Sequence, residues 1–389
     1  MTEPIVAPVY LDYAATTPVD PRVAARMCEV LWGNGPFGNP SSMNHDFGRK
    51  ARTLVEAARA QVANALAAKP QEVVFTSGAT ESNNLALFGA ARFHQSNGRH
   101  IVSSRTEHKA VLDVLKQLEH EGFTVTYLKP DVTGVVHAEE VIGALRDDTV
   151  LVSLMHANNE IGVAQDIGTV GHTCRERGIV FHVDGAQSFG KLPINVEAMR
   201  IDLLSLTAHK IYGPKGIGAL YVRSKPPLGL QPLHFGGGQE LGLRPGTLAT
   251  HQIVGLGVAC ELAATERESD TKRVAELRAQ LWQGLLAIGG VELNGHPTET
   301  VAGILNVAFH GIEGESLQFG LRELAVSSGS ACASDSDEPS YVLRALGRSD
   351  QLAQSSIRFS LGRFTTAAEI DFALGVIGRE LPRLRALVP

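Results

Sequence analysis

Short apolar runs alternate with amphipathic stretches through the middle of the chain. Residues 72–76, 100–103, 150–155, 179–184 and 202–206 are predicted strands. Several are apolar at consecutive positions, the pattern of strands covered on both faces. Between them, residues 109–121 place Leu112, Leu115 and Leu118 on one helical face, and 167–177 predict a second helix before the next strand. This alternation predicts an α/β fold, with a mostly parallel central sheet and helices on both faces. After about residue 250 the rhythm changes. A long helical region with mixed charges covers 252–286, strands follow at 303–309 and 356–359, and a closing helix carries Ile370, Leu374, Ile377 and Leu381 on one face. The expected organisation is an N-terminal arm (1–18) packing on the smaller part, a large domain (19–259) and a smaller α+β C-terminal domain (260–389).

Composition narrows the function classes. With 44% apolar and 20% charged residues among 389, the chain is not of the disordered type. Lys+Arg number 35 and Asp+Glu 41, a net charge of −6, and no basic run of five occurs. Direct nucleic-acid binding and attachment to an anionic membrane are therefore not expected. No apolar stretch approaches the roughly 18 residues of a membrane span. The first residues lack a positive segment followed by an apolar one, so no secretory signal is expected. The four cysteines (Cys28, Cys174, Cys260, Cys332) show no C-x-x-C spacing, which suits a reducing cytoplasm better than a disulfide framework or zinc site.

Three segments carry candidate chemistry. In Val74–Asn84 a strand runs through a Gly turn into a helix opened by small hydroxyl residues. Such a helix start can bind phosphate through its free N–H groups and dipole, with Ser77 and Thr80 as added donors. Ser/Thr capping alone would look the same. In His182-Val183-Asp184-Gly185-Ala186-Gln187 a carboxylate ends a buried strand, where open α/β sheets place ligands. It can pair with a protonated heterocyclic nitrogen while Gln187 donates to a ring oxygen; an Asp capping the turn is the plain alternative. In Ser205–Gly216 a strand ends and a polar turn presents Lys210. A lysine beside a cationic ring has a lowered pKa and can form a Schiff base. Phosphate turn, acidic ring partner and lysine together are what pyridoxal phosphate requires.

With these residues in view, the chain resembles the cysteine desulfurases of the NifS/IscS type, within the fold-type I, class V aminotransferase-like pyridoxal phosphate enzymes. The resemblance extends from Tyr10-Leu11-Asp12-Tyr13-Ala14-Ala15-Thr16-Thr17-Pro18 to Arg358-Phe359-Ser360. Its most specific block is Ser327-Ser328-Gly329-Ser330-Ala331-Cys332 followed by Glu338-Pro339-Ser340-Tyr341-Val342-Leu343, of the long-loop group. It implies that Lys210 carries the cofactor and moves the substrate α-proton. Asp184 would pair with the ring nitrogen, and Gln187 and Asn159 would bond the phenolic oxygen or its substrate-facing side. His108 would stack on the ring and assist proton transfer. Ala79, Thr80, Thr207 and His209 would cradle the phosphate, and Thr247 would reach the phosphate of a neighbouring subunit in a homodimer with shared sites. Arg358 would grip the substrate carboxylate, with Asn39, Asn158 and Arg244 as secondary candidates.

Cys332 would be the catalytic nucleophile. Its segment, 327–338, is dense in Ser, Gly, Ala and Asp with almost nothing to bury, which predicts a mobile carrier of a thiol. The other three cysteines are expected to be inert packing residues. Asp335, Asp337 and Glu338 would raise a nearby thiol's pKa, so His108 or the cofactor is the expected activator.

The implied activity is conversion of L-cysteine to L-alanine. Sulfur passes through a Cys332 persulfide to acceptors such as an iron–sulfur scaffold or a thiolation pathway. No intrinsic metal is expected, although Cys332 could serve transiently as an iron–sulfur ligand beside a scaffold. Ala208 and Pro245 depart mildly from the family pattern. The chain also stops at Pro389, where housekeeping members carry a longer tail that docks the scaffold. The rival enzymatic readings are a selenocysteine lyase or another aminotransferase-like enzyme. A catalytically silent sulfur carrier is the rival of another class, and it would lack a visible cofactor band.

Overall fold

The computed structural model describes residues 5, 7–328 and 338–386. Seven strands form the central sheet, in the order Val73–Thr76, Gly218–Val222, Leu203–Thr207, Val180–Asp184, Thr149–Met155, His100–Ser104 and Thr124–Leu128. All the expected strands are there. Gly218–Val222 was not foreseen and runs antiparallel between two of them. It is short and follows a Gly/Pro-rich loop, so neither length nor flanks marked it. Edge strand Thr124–Leu128 is only partly buried and lacks the apolar run that marks its neighbours.

The covering helices follow from apolar periodicity and from their ends. Lys109–His120 buries Val111, Val114, Leu115 and Leu118, and His108 caps it by accepting the Ala110 N–H at Nδ1 (3.1 Å). Ile167–Arg177 is capped by Asp166 and ends at Gly178. Helix Ala79–His94 follows strand Val73–Thr76 after two residues, with Gly78 at its N-cap. Gly78 has φ +153°, which a side chain tolerates poorly, so glycine permits the abrupt turn that aims the helix start at the sheet's carboxyl edge.

Helix Thr250–Ile288 joins two cores. Ile253, Leu256, Ala259, Cys260 and Ala263 belong to the core under the central sheet. Val274, Leu277, Leu281 and Leu285 belong to a second core. That core lies under a four-stranded antiparallel sheet, Ser327–Ser328, Ser356–Ser360, Ile304–Phe309 and Val291–Asn294, and helix Ala367–Arg385. Residue 260 is thus mid-helix, and the change of core falls between Ala263 and Val274. The N-terminal arm pairs Val9–Tyr10 with Leu324–Ala325 in parallel, and Asp12 bridges to Ser360.

Two cysteines meet the packing expectation. Cys174 and Cys260 are buried, and burial pushes the Cys174 thiol up to about 12. Cys28 does not: it is exposed, because helix Pro21–Leu31 turns Val23 and Val30 inward and leaves position 28 facing water. Cys332 lies outside the described residues. Among those described, no helix is long and apolar enough to cross a membrane.

A buried ion pair ties the first sheet strand to the loop before the long helix. Arg59 meets both Glu240 oxygens (2.7 and 2.8 Å) and the Val73 carbonyl (2.7 Å), while Phe75 N–H donates to Glu240 (2.7 Å). Removing one member strands the other's charge. Arg59→Met should cost about 3–5 kcal/mol in urea unfolding, and Glu240→Gln in that background should recover part of it. An unchanged midpoint for Arg59→Met would contradict the role given to the pair.

Candidate active site

A cavity of about 560 Å³ opens at the carboxyl edge of the central sheet. Its walls include the Gly78–Thr80 turn, His108, Asn159, Asp184, Gln187, Thr207, His209, Lys210 and Arg358. Strand ends deliver Asp184 and Thr207. Helix starts deliver Ala79, Thr80 and His108, and the single turn Ala208–Lys210 presents His209 and Lys210.

Asp184 is 4% exposed, and both carboxylate oxygens are held. Asn83 Nδ2 donates to one (2.8 Å) and the Ala186 N–H to the other (2.9 Å). Lys210 Nζ donates to the Ala14 carbonyl and to the Ala15 carbonyl (2.8 Å). Gln187 Nε2 also donates to Ala14 O (2.8 Å). Arg358 donates to Asn159 O (2.7 Å), Asp12 (2.8 Å) and Ser327 Oγ (3.0 Å), while its Nε is buried without a hydrogen-bond partner.

Burial lowers both active-site histidines. His209 is pulled down to about 4 by burial and by the charges of Lys210, Lys215 and Lys191. His108 is lowered by burial and by Lys210, against Asp184, which raises it. Because His108 Nδ1 accepts the Ala110 N–H, its neutral form carries the proton on Nε2.

Not all the sequence candidates meet here. Asn158 is buried but turned into the protein: its Nδ2 bonds Thr106 O (2.9 Å) and its Oδ1 accepts the N–H groups of Glu160 and Ile161. It shapes the turn that presents Asn159. Asn39 is exposed and accepts Ser41 N–H (2.9 Å), and Thr247 is exposed; neither lines the cavity. Arg244 reaches it indirectly, pairing at 2.8 Å with Glu81, which accepts Ser77 N–H (2.6 Å) in the phosphate turn.

Sequence reasoning passed over Asn83, Glu160 and Lys191. Asn83 had a signal: it lies four residues after Ala79 and so shares its helix face. Glu160 and Lys191 had none, because each takes its meaning from a partner that only folding supplies.

The cavity suits pyridoxal phosphate on its own chemistry. A fixed carboxylate ends a strand, a helix start with free N–H groups faces the same space, and a lysine lines it as well. The Asn159 side-chain oxygen, on the wall, is buried and without a partner. Comparison with known proteins shows the family. The profile of the class-V aminotransferases matches residues 9–372. Cysteine desulfurase IscS of Shewanella amazonensis is 57% identical over 98% of this chain and 95% of its own length. The same enzyme of Cronobacter sakazakii is 58% identical over the same shares. Among solved structures, a NifS-like protein superposes with a TM-score of 0.90 at 37% identity, covering 97% of this chain and 100% of its own. SspA in complex with cysteine gives 0.82 at 40% identity, with 92% and 100% covered.

Beside the site, Glu160 is buried and accepts Ser340 Oγ at 2.5 Å. Burial pushes its carboxyl up to about 7. Between the unfolded value and 7 the folded chain holds a proton that the unfolded chain has released, so stability falls as pH rises through that window. Glu160→Gln removes this loss. Its stability relative to the unmodified protein should rise by about 3 kcal/mol from pH 4.5 to pH 8. A difference that stays constant across pH in denaturant titrations would refute it.

Proposed function

This chain belongs to the class-V aminotransferase family and is a cysteine desulfurase, and from that premise we propose how its residues divide the work. The substrate is L-cysteine, a reading supported by the relative solved with cysteine bound. The cofactor is pyridoxal phosphate, which when bound supplies an electron sink for the pair released at the substrate α-carbon. The observation that carries this reading is the convergence of Asp184, Lys210, His108 and the Gly78–Thr80 turn on one cavity.

Asp184, fixed by Asn83 and Ala186, holds the ring nitrogen protonated. Gln187 and Asn159 meet the phenolic side. Ala79, Thr80, Thr207 and His209 hold the phosphate, and a neutral His209 offers a hydrogen bond without a titrating charge at neutral pH. Lys210 holds the cofactor and moves the α-proton. His108, neutral and protonated on Nε2, stacks on the ring and carries protons beside it. Arg358, with its unpaired Nε, binds the substrate carboxylate.

Cys332 supplies the nucleophile. Its thiolate attacks the substrate sulfur, a sulfur–sulfur bond forms, and the carbon–sulfur bond breaks. The electron pair stays with carbon, which takes a proton to become the methyl group of L-alanine, leaving a persulfide on Cys332. The persulfide sulfur then passes to an acceptor thiol, on an iron–sulfur scaffold or in a thiolation pathway. The alternative of a selenocysteine lyase is not favoured by the relatives, which are cysteine desulfurases.

The working unit is a homodimer. Leu31, Trp32, Phe37, Met43 and Phe47 leave apolar surface exposed, with Trp32 70% exposed and Phe37 packed on Phe47. Burial against a second copy would remove it from water. Exposed Thr247, outside its own cavity, is then available to the partner's phosphate.

Two substitutions test the assignment. Cys332→Ala should keep the visible cofactor band and lose persulfide labelling from ³⁵S-cysteine. Lys210→Ala should lower alanine formation by at least about 100-fold. A Cys332→Ala protein that desulfurates at the full rate would remove Cys332 from the mechanism.

A further inference from the structure

Gln187 can present either end of its carboxamide to the cavity. One end donates and the other accepts, and the two differ little in shape. The side chain is 4% exposed, so the choice cannot be left to water. Behind it lies Lys191, whose Nζ donates to Gln187 Oε1 at 3.0 Å. Lys191 is absent from the wall of the large cavity. It lines a separate small one, of about 70 Å³, with Tyr13, Tyr212 and Lys210.

An ammonium has only donors, so it fixes which end of the amide faces it. Oxygen turned to Lys191 leaves Nε2 turned the other way, onto Ala14 O at the cavity wall. The same Ala14 carbonyl receives Lys210. Lys191, Gln187, Ala14 and Lys210 therefore form one chain of hydrogen bonds leading to the lysine of the site. The backbone keeps the chain short. Gly190 has φ +75°, and a β-carbon there would stand 2.7 Å from Ile211 Cγ2, so glycine lets the Gln187–Lys191 turn press against the residue after Lys210.

We propose that Lys191 is a positioning residue: it orients the Gln187 carboxamide so that the amide N–H, and not the oxygen, is offered to the cavity. The inference rests on the cofactor reading above and deepens it. Without Lys191 only the Ala14 carbonyl opposes a turned amide, which would place a carbonyl oxygen against the negatively charged phenolic oxygen of the cofactor. Withdrawal from water and the like charges of Lys210 and Arg358 pull the Lys191 ammonium down to about 7.

The test uses full-length protein reconstituted with pyridoxal phosphate, and follows the visible band of the bound cofactor against pH. Losing a donor to the phenolic oxygen lets the proton-bound form persist to higher pH. Lys191→Met should raise the midpoint by about one pH unit, and Gln187→Ala should raise it similarly. The double variant should shift no further than Gln187→Ala alone, and Lys191→Arg should restore the unmodified midpoint. An unmoved midpoint in Lys191→Met, or additive shifts in the double variant, would overturn the positioning role. Additivity would mean a direct charge effect of Lys191. If Lys191→Met does not fold, a Lys191→Leu midpoint equal to that of the unmodified protein overturns the proposal equally. No band in the unmodified protein would overturn the cofactor reading, and this inference with it.

Discussion

A carboxylate buried at the end of a strand is the constraint from which the rest of the site follows. Asp184 is almost removed from water, and such a charge is tolerable only when its oxygens are hydrogen-bonded. One donor is the backbone N–H two residues on, which shapes the turn toward Gln187. The other is Asn83, one turn into the helix that begins after Gly78. The pair sets how closely that helix approaches the sheet, and so where its free N–H groups point. A single interaction thereby places the carboxylate and the phosphate turn relative to one another.

Opposite this carboxylate the fold gathers cations and then limits their repulsion. Lys210 rests on the Ala14 and Ala15 carbonyls, and Lys191 on the Gln187 oxygen. Arg358 rests on Asp12 and the Asn159 carbonyl. His209 avoids adding a charge by remaining neutral. Three of these supports, the Ala14 and Ala15 carbonyls and Asp12, come from the N-terminal arm, which pairs with residues of the C-terminal sheet region through Val9–Tyr10 and Asp12. The arm is therefore part of the site's electrostatics: its carbonyls support Lys210 and its Asp12 supports Arg358.

Much of this was legible beforehand. The apolar runs at 150–155 and 179–184 predict covered strands because burial on both faces leaves no alternation to preserve, and both are fully buried. The Gly78 turn, Asp184 and Lys210 are legible because each combines an unusual residue type with a strand or helix boundary. The strand Gly218–Val222 was not legible, since five residues after a Gly/Pro loop carry little periodic signal. The exposure of Cys28 depended on which face its helix turned inward. Glu160 and Lys191 could not be read at all: a charged residue in sequence carries no mark of the partner that will meet it.

The amino-acid order by itself determined the α/β rhythm, the chemical types at the strand ends, and the block around Cys332 that marks the family. These depend on local periodicity and on residue identity, both one-dimensional properties. Tertiary structure decided which of those groups share a cavity, which end of Gln187 faces it, and why Asn158 turns inward while Asn159 lines the wall. Those outcomes depend on partners far away in the chain, such as Ala14 for Lys210 and Asp12 for Arg358, and only the closed fold brings them within hydrogen-bonding distance.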